Sequence, residues 1–365
     1  MFSPSDHEFM QRALTLAENG LNSTTPNPRV GCVVVRDSRI VGEGWHRQAG
    51  GPHAEVIALA QAAGQARGAT VYVSLEPCSH FGRTPPCVNT LIEAQVGRVV
   101  AAMPDPNPLV AGRGLQTLRE AGIDVRCGLL EGQARELNLG FISRMVRSRP
   151  WVRMKLAASL DGRTALPNGT SQWITDSDAR GDGHRWRARA CALLTGIGTV
   201  RADNPRLTVR GVESPRQPLK VLVDSRLEVN PQAQLFDEGQ VLIVFAQGRP
   251  ESIEALRERG AQLLECPNPQ GKVDLPRLMT ELGARGINEL HVEAGAALNG
   301  SLLKEDCVDE LLVYLAPVLL GEGAPLAQLG AVAHLDQVTR YAIHGIDRIG
   351  DGARLVLRDP QSTRF

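Results

Sequence analysis

Aromatic residues are scarce. They make up 4% of the 365 residues, so the cores must be built from Ala, Val and Leu. Lysine is rarer still, with only Lys155, Lys220, Lys272 and Lys304. No apolar run reaches the roughly 18 residues of a membrane-crossing helix, so no membrane partner is expected. The N-terminus, Met1-Phe2-Ser3-Pro4-Ser5-Asp6, lacks the basic start and apolar stretch of a secretory signal. The seven cysteines are odd in number and scattered, which argues against a secreted disulfide framework. A reducing cytoplasm is the expected setting. Neither sign of charge is in excess, with 40 basic and 40 acidic residues. Residues 1–148 carry 14 basic and 13 acidic residues, and residues 149–365 carry 26 and 27. Neither half has the basic surplus of a nucleic-acid binder. The length suits two domains, and an apolar content of 42% is ordinary for a globular protein.

What is present is a compact stretch of chemistry from His53 to Cys87. It opens with His53-Ala54-Glu55 and closes with Pro77-Cys78 and, eight residues on, Cys87. The pattern H-x-E…P-C-x-x-C marks zinc deaminases, where His and two Cys hold the metal and the Glu moves protons. Here the second half departs, because eight residues separate the cysteines instead of two. A loop of that length still brings two thiolates onto one ion. Three protein ligands leave a fourth tetrahedral position for water, whose pKa zinc lowers to roughly 7. A neighbouring carboxylate can carry the water proton to the ring and to the departing ammonia, and Glu55 stands in that place. The competing readings are a closed structural zinc site, with His80 as fourth ligand, or a Cys78–Cys87 disulfide.

The local pattern supports the site. Gly50-Gly51-Pro52 breaks the chain before a buried helix that starts near His53 and runs through Ala62. Ala69 to Leu75 reads as a strand, so Cys78 follows a strand end. Cys87 opens a second helix, and a helix N-terminus favours thiolate over thiol. Around these lie a helix through about Ala17, a hairpin from Val30–Val35 and Ile40–His46, and a strand at Arg98–Ala102. A helix at Gly114–Ala121, a strand at Ile123–Cys127 and a helix at Glu131–Arg147 follow. This alternation predicts a mixed sheet with helices on its faces. The boundary is expected at Ser148-Arg149-Pro150, giving domains 1–148 and 149–365.

The second half restarts with a strand at Trp151–Ser159, a helix around Ser177–Arg189 and strands at Ala190–Thr195, Leu219–Asp224, Val241–Phe245, Glu289–Glu293 and Glu310–Leu315. It reads as a second α/β domain. Gly-rich turns follow two of the strands, at Gly196-Ile197-Gly198 and Glu293-Ala294-Gly295. Such turns let backbone N–H groups approach a phosphate, although each also suits an ordinary strand–helix turn.

Taken together, these residues resemble the bifunctional riboflavin-biosynthesis deaminase/reductases. Pro26-Asn27-Pro28-Arg29-Val30-Gly31, His53-Ala54-Glu55 and the long Pro77–Cys87 loop are similar to the deaminase half. Lys155 to Arg163, Ser171 to Thr175, Gly198 to Pro205, Leu207 to Arg210 and Val292 to Gly295 are similar to the reductase half. The resemblance covers nearly the whole chain in one order. It implies an α/β fold: a cytidine-deaminase-like three-layer domain, then a dihydrofolate-reductase-like α/β domain that uses NADPH. It implies deamination of 2,5-diamino-6-ribosylamino-4(3H)-pyrimidinone 5′-phosphate, then reduction of the ribosyl group to ribityl, giving 5-amino-6-ribitylamino-uracil 5′-phosphate. His53, Cys78 and Cys87 are then the zinc ligands and Glu55 the proton shuttle. Ala157, Trp173, Thr199, Asp203, Ser225 and the turn Gly295, Ala296, Ala297, Leu298, Asn299, Gly300 and Ser301 match NADPH positions. Ser171, Arg187, Leu207, Arg210 and Glu293 match substrate positions. In the deaminase half Asn27, Arg83, Asp105 and Asn107 are expected to contact the substrate, with Arg83 on its phosphate. Lys155 is a candidate for positioning or proton supply. The expected partner is a small phosphorylated pyrimidine, with no nucleic acid, in a homo-oligomer of two or four chains. The alternatives are another zinc deaminase, acting on a nucleotide or on adenosine in tRNA, and a zinc-scaffolded binding module without activity. The long cysteine spacing and neutral charge disfavour the first, and Glu55 disfavours the second.

Overall fold

The computed structural model describes residues 1–79, 86–108 and 110–362. The chain forms two compact units, Met1–Arg147 and Ser148–Phe365, one residue before the expected boundary.

The first unit starts with α1 (Pro4–Glu18), β1 (Gly31–Arg36) and β2 (Arg39–Trp45). Then follow α2 (Ala54–Ala62), β3 (Thr70–Val73), α3 (Cys87–Glu93), β4 (Arg98–Ala101), α4 (Arg113–Glu120) and β5 (Asp124–Cys127). Two helices end it, α5 (Glu131–Leu137) and α6 (Leu139–Arg147). The strands order as β2-β1-β3-β4-β5. The two pairs made by β1 are antiparallel, and β3-β4-β5 are parallel. Cys32, Val34, Val71, Val73, Val99 and Ala101 alternate onto one face, where they meet Ala54, Ala58 and Ala62 of α2, Leu91 of α3 and Leu118 of α4. Each Val or Leu so buried contributes roughly 1.5–3 kcal/mol. Small residues stand in for the missing aromatics. A Cβ on Gly42 would lie 2.1 Å from the Ala58 carbonyl oxygen, so glycine lets α2 lie directly on β2. On the other face α1 begins with a capping box between Ser3 and Asp6. The Asp6 carboxylate also accepts from the Tyr72 hydroxyl at 2.7 Å and from Arg98 at 3.0 Å, which fixes α1 to β3 and β4.

The expected single helix over 131–147 is two helices. Asn138, between them, spends its amide on the backbone of Arg29: Oδ1 accepts from the N–H at 2.8 Å and Nδ2 donates to the carbonyl at 3.0 Å.

The second unit opens with β6 (Trp151–Ser159), β7 (Arg163–Ala165), α7 (Ser177–Arg189), β8 (Ala192–Gly196) and α8 (Ile197–Asp203). It continues with β9 (Leu219–Val223), β10 (Val241–Phe245), α9 (Pro250–Glu258), β11 (Gln262–Glu265), α10 (Leu275–Ala284) and β12 (Glu289–Val292). The last elements are α11 (Ala296–Lys304), β13 (Glu310–Ala316), β14 (Ala324–Pro325), β15 (Ala342–Ile349) and β16 (Gly352–Arg358). The main sheet orders as β11-β10-β9-β8-β12-β6-β13-β16-β15. It is parallel from β11 through β13, while β16 pairs antiparallel with β13 and β15. The central strands are buried on both faces, as parallel sheets require, with apolar clusters above and below. One buried polar knot interrupts them. Arg153 lies between Glu310 and Glu289, with its guanidinium 4.2 Å from the Trp186 ring centroid. The hairpin β15–β16 was not foreseen, because Ala342–Ile349 is largely exposed on both faces and so shows no alternation.

Candidate active sites

In the first unit a cavity of about 440 Å³ lies beside the start of α2 and the segment that follows β3. His53 is the N-cap of α2 and makes no cap hydrogen bond, which leaves its ring for other partners. Cys78 follows the end of β3, and Cys87 is the first residue of α3. Their ligand atoms, with that of His53, all lie within 4.8 Å of one another. That spacing fits three donors on one ion with bonds of about 2.0–2.3 Å. His53 Nδ1 is 3.1 Å from Cys87 Sγ and 3.6 Å from Cys78 Sγ. The Cys87 backbone N–H donates to Cys78 Sγ at 3.3 Å. Cys78 and Cys87 are free thiols. Among the described residues no fourth ligand joins them; His80, the competing fourth ligand, lies outside those residues. A hydrogen bond from the Cys87 thiol, helped by His53, holds the Cys78 thiol well below the usual range despite burial. This donor set fits zinc, which binds thiolate and neutral imidazole.

Glu55, in the first turn of α2, is 3% exposed. Burial, and then the negative Cys78, push its carboxyl above the usual range. That is the environment of a group that must hold a proton and give it up near neutral pH. Asn27, Asp105 and Asn107 line the same cavity. Burial raises the Asp105 carboxyl to about 7, with Glu76 and Cys78 adding to it. Arg83, expected on the phosphate, lies outside the described residues.

His46 was missed by the sequence reading. Its ring meets His53 edge-on, with centroids 5.3 Å apart. Nδ1 lies 3.0 Å from the Pro52 carbonyl and Nε2 lies 3.0 Å from Asn27 Nδ2. A ring that donates from Nδ1 to the carbonyl accepts at Nε2, so His46 turns the Asn27 amide. Burial keeps the ring neutral by lowering its pKa. Nothing local in the sequence marks this pair, which is 19 residues apart.

In the second unit a cleft of about 970 Å³ opens over the sheet where β6, β8 and β12 lead into it. Ala157, Trp173, Thr199, Asp203, Gly295, Ala296 and Asn299 line it, with Ser171, Arg187, Leu207, Arg210 and Glu293. The structure does not bring Ser225, Ala297, Leu298, Gly300 or Ser301 onto this wall. The Leu298 side chain packs over Gly196. Gly300 instead packs on the Gln328 backbone. Ser225 sits in a turn, where its Oγ accepts from the Val273 N–H at 3.2 Å.

Arg187 and Glu293 meet inside the cleft, with Nη2 donating to Oε2 at 2.7 Å. Arg187 also donates to the Thr208 carbonyl at 3.1 Å. Burial works against the Glu293 charge, but Arg187, supported by His291 and Lys155, holds its carboxyl well below the usual range. Lys155 shares this cleft, and desolvation lowers its ammonium pKa even with Glu293 nearby. His184 was not foreseen. Its Nδ1 accepts the Arg210 backbone N–H at 3.2 Å, so α7 holds the Leu207–Arg210 segment. Burial and then the charges of Arg187 and Arg210 push its pKa down to about 4. Five cations, Lys155, Arg180, Arg187, Arg206 and Arg210, line the cleft against the carboxylates of Asp203 and Glu293. The surplus suits phosphorylated ligands.

Comparison with known proteins gives each unit a family. Residues 3–103 match the family described as the cytidine and deoxycytidylate deaminase zinc-binding region. Residues 150–354 match the RibD C-terminal domain. The chain is 48% identical over 368 residues to riboflavin biosynthesis protein RibD of Haemophilus influenzae, covering 97% of each chain. It is 47% identical over 359 residues to that of Escherichia coli, covering 94% of this chain and 97% of the other. Among solved structures, Acinetobacter baumannii RibD superposes with a TM-score of 0.91 at 43% identity, over 98% of this chain and 99% of that one. A diaminohydroxyphosphoribosylaminopyrimidine deaminase/5-amino-6-(5-phosphoribosylamino)uracil reductase of Thermotoga maritima superposes with a TM-score of 0.86 at 32% identity, over 97% and 99%.

Proposed function

The chain belongs to the RibD family, the bifunctional deaminase/reductases of riboflavin biosynthesis, and from that premise we propose how its own residues perform the two reactions. The first unit deaminates the diaminopyrimidine ribosylamino phosphate, and the second reduces the ribosyl group of the deaminated product to ribityl. The observation that carries the first assignment is the His53, Cys78 and Cys87 cluster beside the buried Glu55 carboxyl.

His53, Cys78 and Cys87 hold zinc, which when bound supplies the Lewis acidity that activates water at neutral pH. Glu55 takes one proton of the attacking water and delivers it to the ring nitrogen, then takes the second from the added hydroxyl and delivers it to the departing amine, which leaves as ammonia. Asn27, turned by His46, and the pair Asp105 and Asn107 orient the pyrimidine and ribose. Arg83 reads the phosphate.

NADPH, when bound in the second unit, supplies the hydride. The residues present fit it. The N-cap of α11 is Gly295, with no side-chain cap, so its first-turn N–H groups are available for a phosphate. Ala157, Trp173, Thr199 and Asp203 line the same cleft. Arg187 and Glu293 brace each other, so Glu293 is a fixed acceptor for sugar hydroxyls. Arg210, tied to His184, and Ser171 take the substrate phosphate. Lys155 Nζ supplies the proton that accompanies reduction. The seven cysteines are free and no described helix is long and apolar enough to cross a membrane. Both observations support a cytoplasmic enzyme. The exposed Ile343 and Ile346 on edge strand β15 support self-association, which light scattering measures.

Incubation with the diaminopyrimidine phosphate, with and without NADPH, tests the assignment by mass spectrometry. Deaminated product is expected without NADPH and ribityl product with it. Chelation should stop the first conversion and leave reduction of supplied deaminated substrate intact. Deamination that survives complete zinc removal would refute the assignment.

A further inference from the structure

One buried carboxylate beside the zinc ligands has no place in the chemistry above. Glu76 is 3% exposed and stands two residues before Cys78. Its Oε2 accepts the backbone N–H of Asp105 at 3.0 Å and of Gly112 at 2.9 Å. Its Oε1 accepts the N–H of Gly114 at 2.9 Å and of Leu115 at 3.3 Å. All four donors belong to the segment that joins β4 to the start of α4. The N-cap of that helix is Gly112, at φ 84° and without a side chain to accept. A helix leaves its first N–H groups unpaired unless a cap supplies acceptors. Glu76 supplies them from 38 residues away, with a charge that a helix N-terminus favours.

The backbone reinforces the junction. The Glu76 N–H donates to the Met103 carbonyl at 3.0 Å. A Cβ on Gly114 would fall 2.1 Å from the Pro77 carbonyl oxygen, so the helix start lies against the residue before Cys78. Asp105 Oδ1 in turn accepts the Asn107 N–H at 2.8 Å. The orientation set at Asp105 therefore passes to Asn107.

We propose that Glu76 is the positioning residue of the deaminase site: it staples the Asp105–Asn107 loop to the strand end that carries Cys78. The distance between the Cys78 strand end and the substrate-orienting groups is then set by the Glu76 side chain together with the backbone contacts of Glu76 and Pro77. The inference rests on the reading that Asp105 and Asn107 contact the pyrimidine substrate. Glu76 borders the same cavity, but both of its carboxylate oxygens are taken up by backbone N–H groups, so it acts through the loop.

The test uses the full chain. Glu76→Gln keeps the shape but replaces one acceptor oxygen with an amide donor facing two N–H groups. Two charge-assisted bonds are lost, each worth roughly tenfold or more, so deaminase kcat/KM should fall about 100-fold. Zinc should stay near one per chain, and NADPH oxidation with the deaminated substrate should stay within about twofold of wild type. Glu76→Asp keeps both acceptors on a shorter stem and should lose only about tenfold; it carries the same comparison if Glu76→Gln does not fold. A structural role alone would not produce coupling, so the double variant Glu76→Gln/Asn107→Ala is decisive. It should lose less than the product of the two single losses. Full deaminase activity in Glu76→Gln, activity lost in step with zinc, or strictly multiplicative losses would each overturn the proposal. Wild-type rates in both Asp105→Ala and Asn107→Ala would instead remove the premise about the loop. Loss in those two without loss in Glu76→Gln would sink the staple alone.

Discussion

Glu55→Gln separates the two chemistries of this chain. The side chain is nearly isosteric and sits in a buried position, 3% exposed, so no cavity opens. The substitution removes an ionisable group that burial already disfavours as an anion, so folding stability should hold. The proposed metal ligands, His53, Cys78 and Cys87, are not altered, so zinc should stay at about one per chain. What is lost is the carrier of the proton. General acid–base groups contribute typically 10²–10⁴-fold, which is about 3–5 kcal/mol of transition-state stabilisation at roughly 1.4 kcal/mol per decade. Ammonia release from the diaminopyrimidine phosphate measures this directly. NADPH oxidation with the deaminated compound, measured on the same sample, should be unchanged, because Lys155, Arg187 and Glu293 lie in the other unit. A deaminase rate within a factor of two of wild type, with zinc retained, would refute the role of Glu55. A loss that tracks zinc loss would show that Glu55 supports the metal instead of moving protons.

Lys155→Met should lower the reductase kcat by about 10²–10⁴-fold and leave deamination untouched; equal loss in both assays would mean damage to the fold. Because desolvation lowers the Lys155 pKa below 10.5, the wild-type reductase rate should fall with rising pH before 10.5 is reached, as the ammonium is lost. His184 titrates at about 4 in the folded chain, below its ordinary 6.5. The unfolded chain therefore binds the extra proton between those values, and stability should fall as pH falls through that window. His184→Gln should reduce this acid sensitivity in chemical denaturation at pH 4–6.5, and an identical pH profile would contradict it. Arg83→Ala should weaken deaminase kcat/KM for the phosphorylated substrate by roughly 10- to 150-fold and barely affect its dephosphorylated analogue. Equal loss on both compounds would mean that Arg83 serves the loop and does not read the phosphate.

Local chemistry was legible in the sequence, and long-range polar coupling was not. His53 and Glu55 share one helix start, Cys78 follows a strand, and Cys87 begins a helix. Each of those positions follows from a few neighbouring residues. The pairs that refine the sites do not. Asn27 with His46, Glu76 with Gly114, His184 with Arg210 and Asn138 with Arg29 are 19 to 109 residues apart. A lone His, Glu or Asn carries no sign of which distant backbone it will serve. Periodicity also has a blind side. The turn Gly295 to Ser301 reads as one contiguous motif, and of its residues Gly295, Ala296 and Asn299 line the cleft. Strand β15 escaped notice, since neither of its faces is buried.

The two sites solve the same physical problem with opposite signs. Each reaction needs a proton moved near neutral pH, and neither an ordinary carboxylate nor an ordinary lysine titrates there. Burial disfavours whichever form is charged. It therefore raises Glu55 and lowers Lys155, bringing an acid and a base toward the working range from opposite ends. Burial alone would also neutralise the groups that must stay charged. The second unit avoids this by pairing Glu293 with Arg187, which keeps the carboxylate ionised beside Lys155. In the first unit the positions of His46 and Glu76 matter for a different reason. Both contact Asn27 or Asp105, and neither adds to the Cys87 and backbone hydrogen bonds already on Glu55, so the proposed substrate contacts are oriented without a further bond on the proposed proton carrier. A positioning group that bonded Glu55 directly would trade catalysis for rigidity.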